Sequence, residues 1–400
     1  MRQVFFVSGG SIALLLCGTA SLHAQEKPLV LSAGYTAQTD SNLFRLPSSA
    51  NTQALIGRSS AAEQIGITTL GLGLNTHQSL QKFELDVTLV DYKYQNFNYL
   101  SFTANNYAAA WRWALTPRLT GNFTTDRKET LNSFSDYQGY STRNQRVETT
   151  TRADAAYEVD GPWRLLAGAS TSRQANQQAL VGGGDSTNTS ADAGVRYVFS
   201  SGSSITYLGR LGSGKYLNRA VPNAGAYDDS FKQVENDLRL RWAFGGGSDA
   251  EVYLTHINRT HPTYVERNYS GFNTGTSVNW GISGKSSLLA GFSHTLDTYA
   301  TGNSNYGQTD KLFVGPVWQF SPKAALRLRH EWAQRDYLGS PTGTSNQRRD
   351  ITRDTTVSIN WQPYQQVALS AALQNSSRGS NQAGLDFEST SLSLTAQINF

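Results

Sequence analysis

The chain has 400 residues, a formal charge of +4, and 16% charged residues. Soluble domains usually carry about a quarter charged residues, and so small a charge surplus gives no case for nucleic-acid binding. Aromatic residues reach 11%, a composition suited to a molecule whose outer belt cannot carry charge.

At the N-terminus, Arg2 precedes an apolar stretch from Val4 to Cys17 relieved only by small Ser and Gly, and a small-residue region ends at Ala24. This layout predicts a secretory signal peptide over residues 1–24, cut after Ala24, although Leu22 is bulky for the −3 position. Leu16 before Cys17 is poor for lipoprotein processing. Removing the signal takes away Met1 and Cys17, the only methionine and cysteine. A chain without thiols suits an oxidising compartment and excludes thiolate metal sites and cysteine nucleophiles. No later apolar run approaches the roughly 20 residues a membrane helix needs.

Residues 25–400 show no linker and read as one domain. Turn signals recur about every 40 residues, the length of two strands, a tight turn and a longer loop. They fall at Asn75-Thr76-His77, Thr116-Pro117-Arg118, Asp160-Gly161-Pro162, Ser201-Gly202-Ser203 and Gly245-Gly246-Gly247. Three more follow at Ser283-Gly284-Lys285, Ser321-Pro322-Lys323 and Gln362-Pro363-Tyr364.

Between turns the apolar residues keep period 2. Phe83, Leu85, Val87 and Leu89 alternate with Lys82, Glu84, Asp86 and Thr88; Leu238, Leu240, Trp242 and Phe244 face away from Asp237, Arg239 and Arg241. Such strands are half-buried, one face greasy and one wet. Soluble sandwich strands run about five or six residues, whereas these run roughly ten to fourteen, the length that crosses a membrane. The pattern predicts an all-β, antiparallel, up-and-down transmembrane barrel of 16–18 strands, the first near Leu29–Gln38 and the last Glu388–Phe400. Short connections alternate with longer ones such as Leu131–Gln145 and Leu217–Ser230. In outer-membrane barrels the short side is periplasmic, and an even strand count leaves both termini there.

Tryptophan placement gives a second line of argument. Trp111, Trp113, Trp163, Trp242, Trp280, Trp318 and Trp361 each lie near a short turn, and only Trp332 does not. Indole rings favour the membrane–water interface, so these seven predict a periplasmic girdle. The last strand alternates through Leu392, Leu394, Ala396 and Ile398 to Phe400. A terminal strand ending in an aromatic residue resembles the signal read by barrel-assembly machinery. The expected partners are therefore that machinery, outer-membrane lipid and lipopolysaccharide.

Candidate chemistry is sparse. His256, His294 and His330 continue lipid-facing rows after Leu254, Phe292 and Leu328. They suit an interfacial band against lipopolysaccharide head groups better than an outer-face hydrolase, because no Ser lies beside a His in one outward row. Asp228-Asp229 reads as a solvated loop pair. The Gly182–Gly184 and Gly245–Gly247 runs lack the strand–loop–helix context of phosphate cradles and read as turns. No metal, cofactor or catalytic residue is expected.

The inward-facing charges are the better functional material. Glu84, Asp86, Arg112, Arg152, Asp154, Arg196, Asp237, Arg239, Arg241, Arg327, Arg329, Glu331 and Asp354 fall on the polar face. Both signs occur, so cross-strand pairs that simply hold the lumen are one reading. An arginine-rich wall that favours anionic or polyhydroxylated passengers is the other. A barrel this wide has more interior than its side chains fill, so an aqueous path is expected.

Several stretches carry a family resemblance. They are Asn42-Leu43-Phe44-Arg45-Leu46-Pro47, Phe83-Glu84-Leu85-Asp86, Leu89–Leu100, Trp111-Arg112-Trp113 with Thr116-Pro117-Arg118-Leu119, Asp126-Arg127-Lys128 and Gly161-Pro162-Trp163-Arg164-Leu165. This text resembles the EpsL-like outer-membrane barrels encoded with exopolysaccharide biosynthesis, within the β-barrel porin 2 family. The resemblance implies a part in polysaccharide export and carries no functional residues across. Tyr92 and Tyr94, inward aromatics, would then stack on sugar faces. A general diffusion porin for small polar solutes is the alternative, and an outer-face lipid-modifying enzyme is a third reading.

Overall fold

A computed structural model of the chain describes residues 28–135, 141–178, 184–218, 228–298, 304, 306–339 and 348–400. The expected signal peptide, with Cys17, lies outside these residues, as do Gly182 and Gly183.

Long strands with one greasy face leave two raw edges, and closing the sheet removes both. The chain does this with eighteen antiparallel strands in one sheet, β1 bonding to both β2 and β18. In order they are β1 Leu29–Asp40, β2 Glu63–Gln78, β3 Gln81–Tyr94, β4 Phe102–Thr116, β5 Leu119–Leu131 and β6 Gln145–Asp160. There follow β7 Trp163–Asn176, β8 Ser186–Val198, β9 Ser204–Tyr216, β10 Ser230–Gly245, β11 Ser248–Thr260 and β12 Tyr269–Ser283. The wall ends with β13 Ser286–Thr298, β14 Tyr306–Ser321, β15 Ala324–Leu338, β16 Arg349–Tyr364, β17 Val367–Ser380 and β18 Phe387–Asn399. One short helix, α1 Thr52–Ile56, stands in the β1–β2 connection.

The strand count sits at the top of the expected range. Two turns move: Gln362, Pro363 and Tyr364 end β16 and the chain reverses at residues 365–366, and Asn75, Thr76 and His77 are not a turn but pair with Glu84, Phe83 and Lys82. The chain reverses at residues 79–80, where Ser79 takes the left-handed φ of 55°. Polar residues at a strand end look like turn formers, yet here they complete the ladder. Gly245, Gly246 and Gly247 all have positive φ, a backbone that favours glycine in a tight reversal. Several long-side connections, such as residues 95–101 and 381–386, are shorter than sequence spacing suggests because the strands run further outward.

The lipid face is apolar next to the short turns. Leu392, Leu394, Ile398 and Phe400 point outward, and the Phe400 amide closes onto Leu31 O at 2.8 Å. Six of the seven girdle tryptophans are at least 43% exposed on this face. The exception, Trp113, is half-buried because its ring covers Gly121, where a Cβ would lie 2.3 Å from the indole. A 13-residue strand tilted about 40° rises roughly 33 Å, beyond the ~25 Å apolar band of such barrels. The upper rows therefore stand in the head-group zone.

Candidate functional site: the lumen and its mouth

The register puts all thirteen sequence-picked charges on the face opposite the exposed apolar rows, pointing into the barrel. Strand pairing then links many of them. Glu84 takes Lys82 and Arg112 at 2.8 Å each, and Arg112 reaches Asn122 Oδ1 at 3.3 Å. Asn122 donates to Asp154 at 2.9 Å, and Arg152 touches Asp154 at 3.6 Å. Arg152 also grips Asp192 through two bonds of 2.8 Å. One polar chain thus runs from β3 to β8. Planar guanidinium forks suit such bidentate contacts.

Further round, Arg239 lies 3.7 Å from Asp237 and 3.2 Å from Glu251, and Arg241 lies 4.0 Å from Asp249. Glu331 receives Arg329 at 2.9 Å and Lys311 at 3.3 Å. Asp354 accepts from the Ser376 hydroxyl. Arg196 donates to Thr206 Oγ1 at 3.0 Å. Among the described residues, Asp86, Arg196, Arg327 and Asp354 have no ion-pair partner within 4.0 Å. Arg239, Arg164 and Arg241 add positive field at Arg196, and Asp154 opposes them.

Although they point inward, the side chains of Arg112, Arg239, Arg241 and Arg329 keep 46, 47, 46 and 40% of their surface exposed. Water reaches the middle of the barrel.

The mouth is different, and sequence reasoning missed it. On upper β2–β4 the inward face turns apolar with Ile65, Val90, Tyr94, Phe102 and Ala104. Leu43, Phe44 and Leu46 from residues 41–62, Phe97 and Leu100 from 95–101, and Phe134 fold onto it. Phe44 meets Phe97 edge to face at 4.7 Å and Phe134 at the same distance. Leu100 is 0% and Phe97 1% exposed.

Polar clamps fix this cluster. The buried Glu63 carboxylate accepts from the amides of Gln64, Gln95, Asn96 and Phe97 at 2.7–3.1 Å. Asp40 holds Arg45 through two 2.9 Å bonds. Asn42 donates to Leu46 O and Glu388 O, tying the loop to β18. Across the rim, Arg378 donates to Ser135 O and Leu385 O at 2.7 Å. Tyr94 is 8% exposed and Tyr92 stacks on Phe102 at 4.6 Å, so neither ring is open for a sugar as expected. The stretches 42–47 and 89–100 that carried the resemblance build this cluster.

Other rim acids serve loops. Asp228 accepts from the amides of Thr263 and Tyr264, joining two long connections. Nearby, His261 is buried with its Nδ1 unbonded. Burial, and then the Arg259 charge, hold its pKa below the ordinary histidine value.

On the outer face no Ser shares an outward row with His256, which pairs with Phe272, but one reaches it from the side. Ser270 Oγ, from the adjoining strand, lies 3.1 Å from His256 Nε2. The sequence view was limited to one row, and this contact is a cross-strand diagonal. Its parts stay apart from the acid a triad requires: the Asp310 carboxylate bonds His294 at 2.6 Å, and His330 bonds Thr355 at 2.8 Å. No acid lies within 4.0 Å of His256 among the described residues, so no assembled hydrolytic site results.

Neither a protein-family model nor a curated protein matches the chain. Solved structures do. Pseudomonas aeruginosa OpdK with vanillate has TM-score 0.51 and 12% identity, over 93% of this chain and 99% of that one. OccK2 (OpdF) of the same organism, in complex with glucuronate, has TM-score 0.53 and 12% identity over 93% and 98%. OpdQ, also from P. aeruginosa, has TM-score 0.52 and 11% identity over 93% and 98%. The shared feature is the fold, a closed barrel of the outer-membrane porin kind.

Proposed function

We propose that the chain is an outer-membrane diffusion channel for small polar solutes, with a bias toward anions. The observation that carries this is the wet, charge-lined middle of a closed barrel. Inward arginines there keep nearly half their surface in solvent. Most lumen charges neutralise one another and stiffen the wall. The surplus is cationic on β7–β10, where Arg196 has no carboxylate of its own. Rings of Arg in a pore lower the barrier for anions. Vanillate and glucuronate, bound in two of the similar barrels, are small carboxylates that suit such a wall.

Export of an exopolysaccharide rests on the family resemblance, and two of the stretches that carry it, 42–47 and 89–100, form packing at the mouth rather than a sugar path. Planar-bilayer recording tests the proposal. Long, steady openings with anion preference, partly blocked by millimolar glucuronate, are expected. A barrel that conducts nothing, or prefers cations, overturns it. A deletion strain that exports normal polysaccharide removes the export reading.

A further inference from the structure

The lipid-facing wall is uneven, and strand register aligns the unevenness into rows. On most of the barrel the mid-height rows are bulky, as with Leu312 and Val314, Leu326 and Leu328, or Val357 and Ile359. On β6–β8 the same height carries Ala153, Ala169 and Ala191 in one row, and Ala155, Ala167 and Ala193 in the next. One row further toward the long loops, hydroxyls replace methyls at Thr151, Thr171, Thr189 and Ser213.

Above the hydroxyls stand cations. Arg173 and Lys215 flank Thr187 in a single row, roughly 10 Å apart at ~4.8 Å per strand. Lys232 opposes Ser213 on the next strand. All three are exposed, and none has a carboxylate within 4.0 Å among the described residues. Elsewhere on the outer face Lys93 is matched by Asp91 at 3.5 Å and Arg127 by Glu129 at 3.0 Å, and Arg353 on β16 stands as a single cation rather than a cluster. No outward residue of β6–β10 is acidic. Three like charges this close, beside a low-dielectric phase, repel one another unless an anion is supplied from outside.

We infer that the outer wall of β6–β10 is a docking surface for a phosphorylated glycolipid of the outer leaflet. The ligand must be amphiphilic, because the cations sit on the lipid side, directly above apolar rows. It must carry more than one phosphate to serve cations on three strands. Its sugar hydroxyls meet the threonine shelf, and its straight acyl chains lie on the smooth alanine wall, where no bulky side chain stands in the way. The inference rests on the outer-membrane reading, with the long connections outside.

Native mass spectrometry of the full chain in a non-ionic detergent, titrated with diphosphoryl lipid A, tests it. An R173Q/K215Q/K232Q variant should bind about a hundredfold more weakly, on the order of fivefold per cation lost. K93Q, which removes a paired cation, should bind as the parent does. A169F keeps every charge but fills the smooth wall, and should weaken binding severalfold. Triple-variant binding within twofold of the parent overturns the proposal. So does equal binding of phosphatidylglycerol, which shows general attraction to anionic lipid. Folding is read independently by circular dichroism and by conductance. The cations lie outside the lumen, so an unchanged channel with lost lipid binding reports on this surface alone, and lipid binding by a non-conducting barrel sinks only the channel reading.

Discussion

The upper inner face of β2–β4 and the middle inner wall of β6–β10 share one strand geometry and hold opposite interiors. In the first, Ile65, Val90, Tyr94 and Phe102 are covered by loop side chains and water is excluded. In the second, Arg152 pairs with Asp154 and Asp192, and Arg239 with Glu251 keeps nearly half its side-chain surface in water. The difference teaches that alternation decides which side chains point inward, whereas what covers them decides whether the inside is dry. Where a loop returns, an apolar inward face is stabilised by burial at about 25 cal/mol per Å². Where none does, charges are the cheaper lining.

The largest expected effect breaks the dry side. Phe44→Ala should cost the mouth cluster about 3–5 kcal/mol by removing a buried ring. Glu63→Gln should act similarly, because four backbone donors then share an amide with a single acceptor oxygen. Both variants should raise single-channel conductance or its noise, and speed amide exchange at residues 95–101. Unchanged exchange in both would show that the cluster does not hold the loop.

On the wet side, Arg152→Met strands Asp192, whose side chain is 1% exposed. Breaking a buried pair this way costs about 3–5 kcal/mol, here reduced by the nearby water. The expected result is a lower melting temperature in detergent with the mouth unaffected. Equal losses at the mouth would mean the two regions are one cooperative unit.

Arg196→Gln combined with Arg327→Gln should leave stability within about 1 kcal/mol, since neither cation has an ion-pair partner to strand. Anion preference, read as reversal potential across a salt gradient, should fall. No change in reversal potential would place selectivity elsewhere.

The smallest effect concerns pH at the rim. The folded-state pKa of His261 is depressed, by burial first and Arg259 second, so the folded form binds the proton less well than the unfolded one. Its contribution to stability is therefore complete above the ordinary histidine value of about 6.5 and is lost as pH falls below it. Protection factors at residues 261–268, which take out the intrinsic pH dependence of amide exchange, should fall severalfold from pH 7.5 to 5. His261→Gln should abolish that dependence, and its persistence would point to another titrating group.

Much of this was legible in the chain itself. Period-2 alternation in strands such as Val147–Val159 fixed the faces, and turn residues fixed the hairpins to within a few positions. Interfacial tryptophans gave the short-turn side. The mouth cluster left one visible trace: alternation fails at Leu89–Val90 and Ile65–Ile67, where inward positions become apolar. That trace says a cover exists without saying which loop provides it.

What the sequence determined by itself is the class of molecule and the direction of each side chain, because both follow from local period and turn chemistry. Only the tertiary structure decided the partners. Glu63 meets residues 95–97, Arg378 meets Ser135, and Arg173 shares a row with Lys215. Those contacts depend on strand register and loop return around a closed sheet, which link residues far apart in the chain and leave no local period to read.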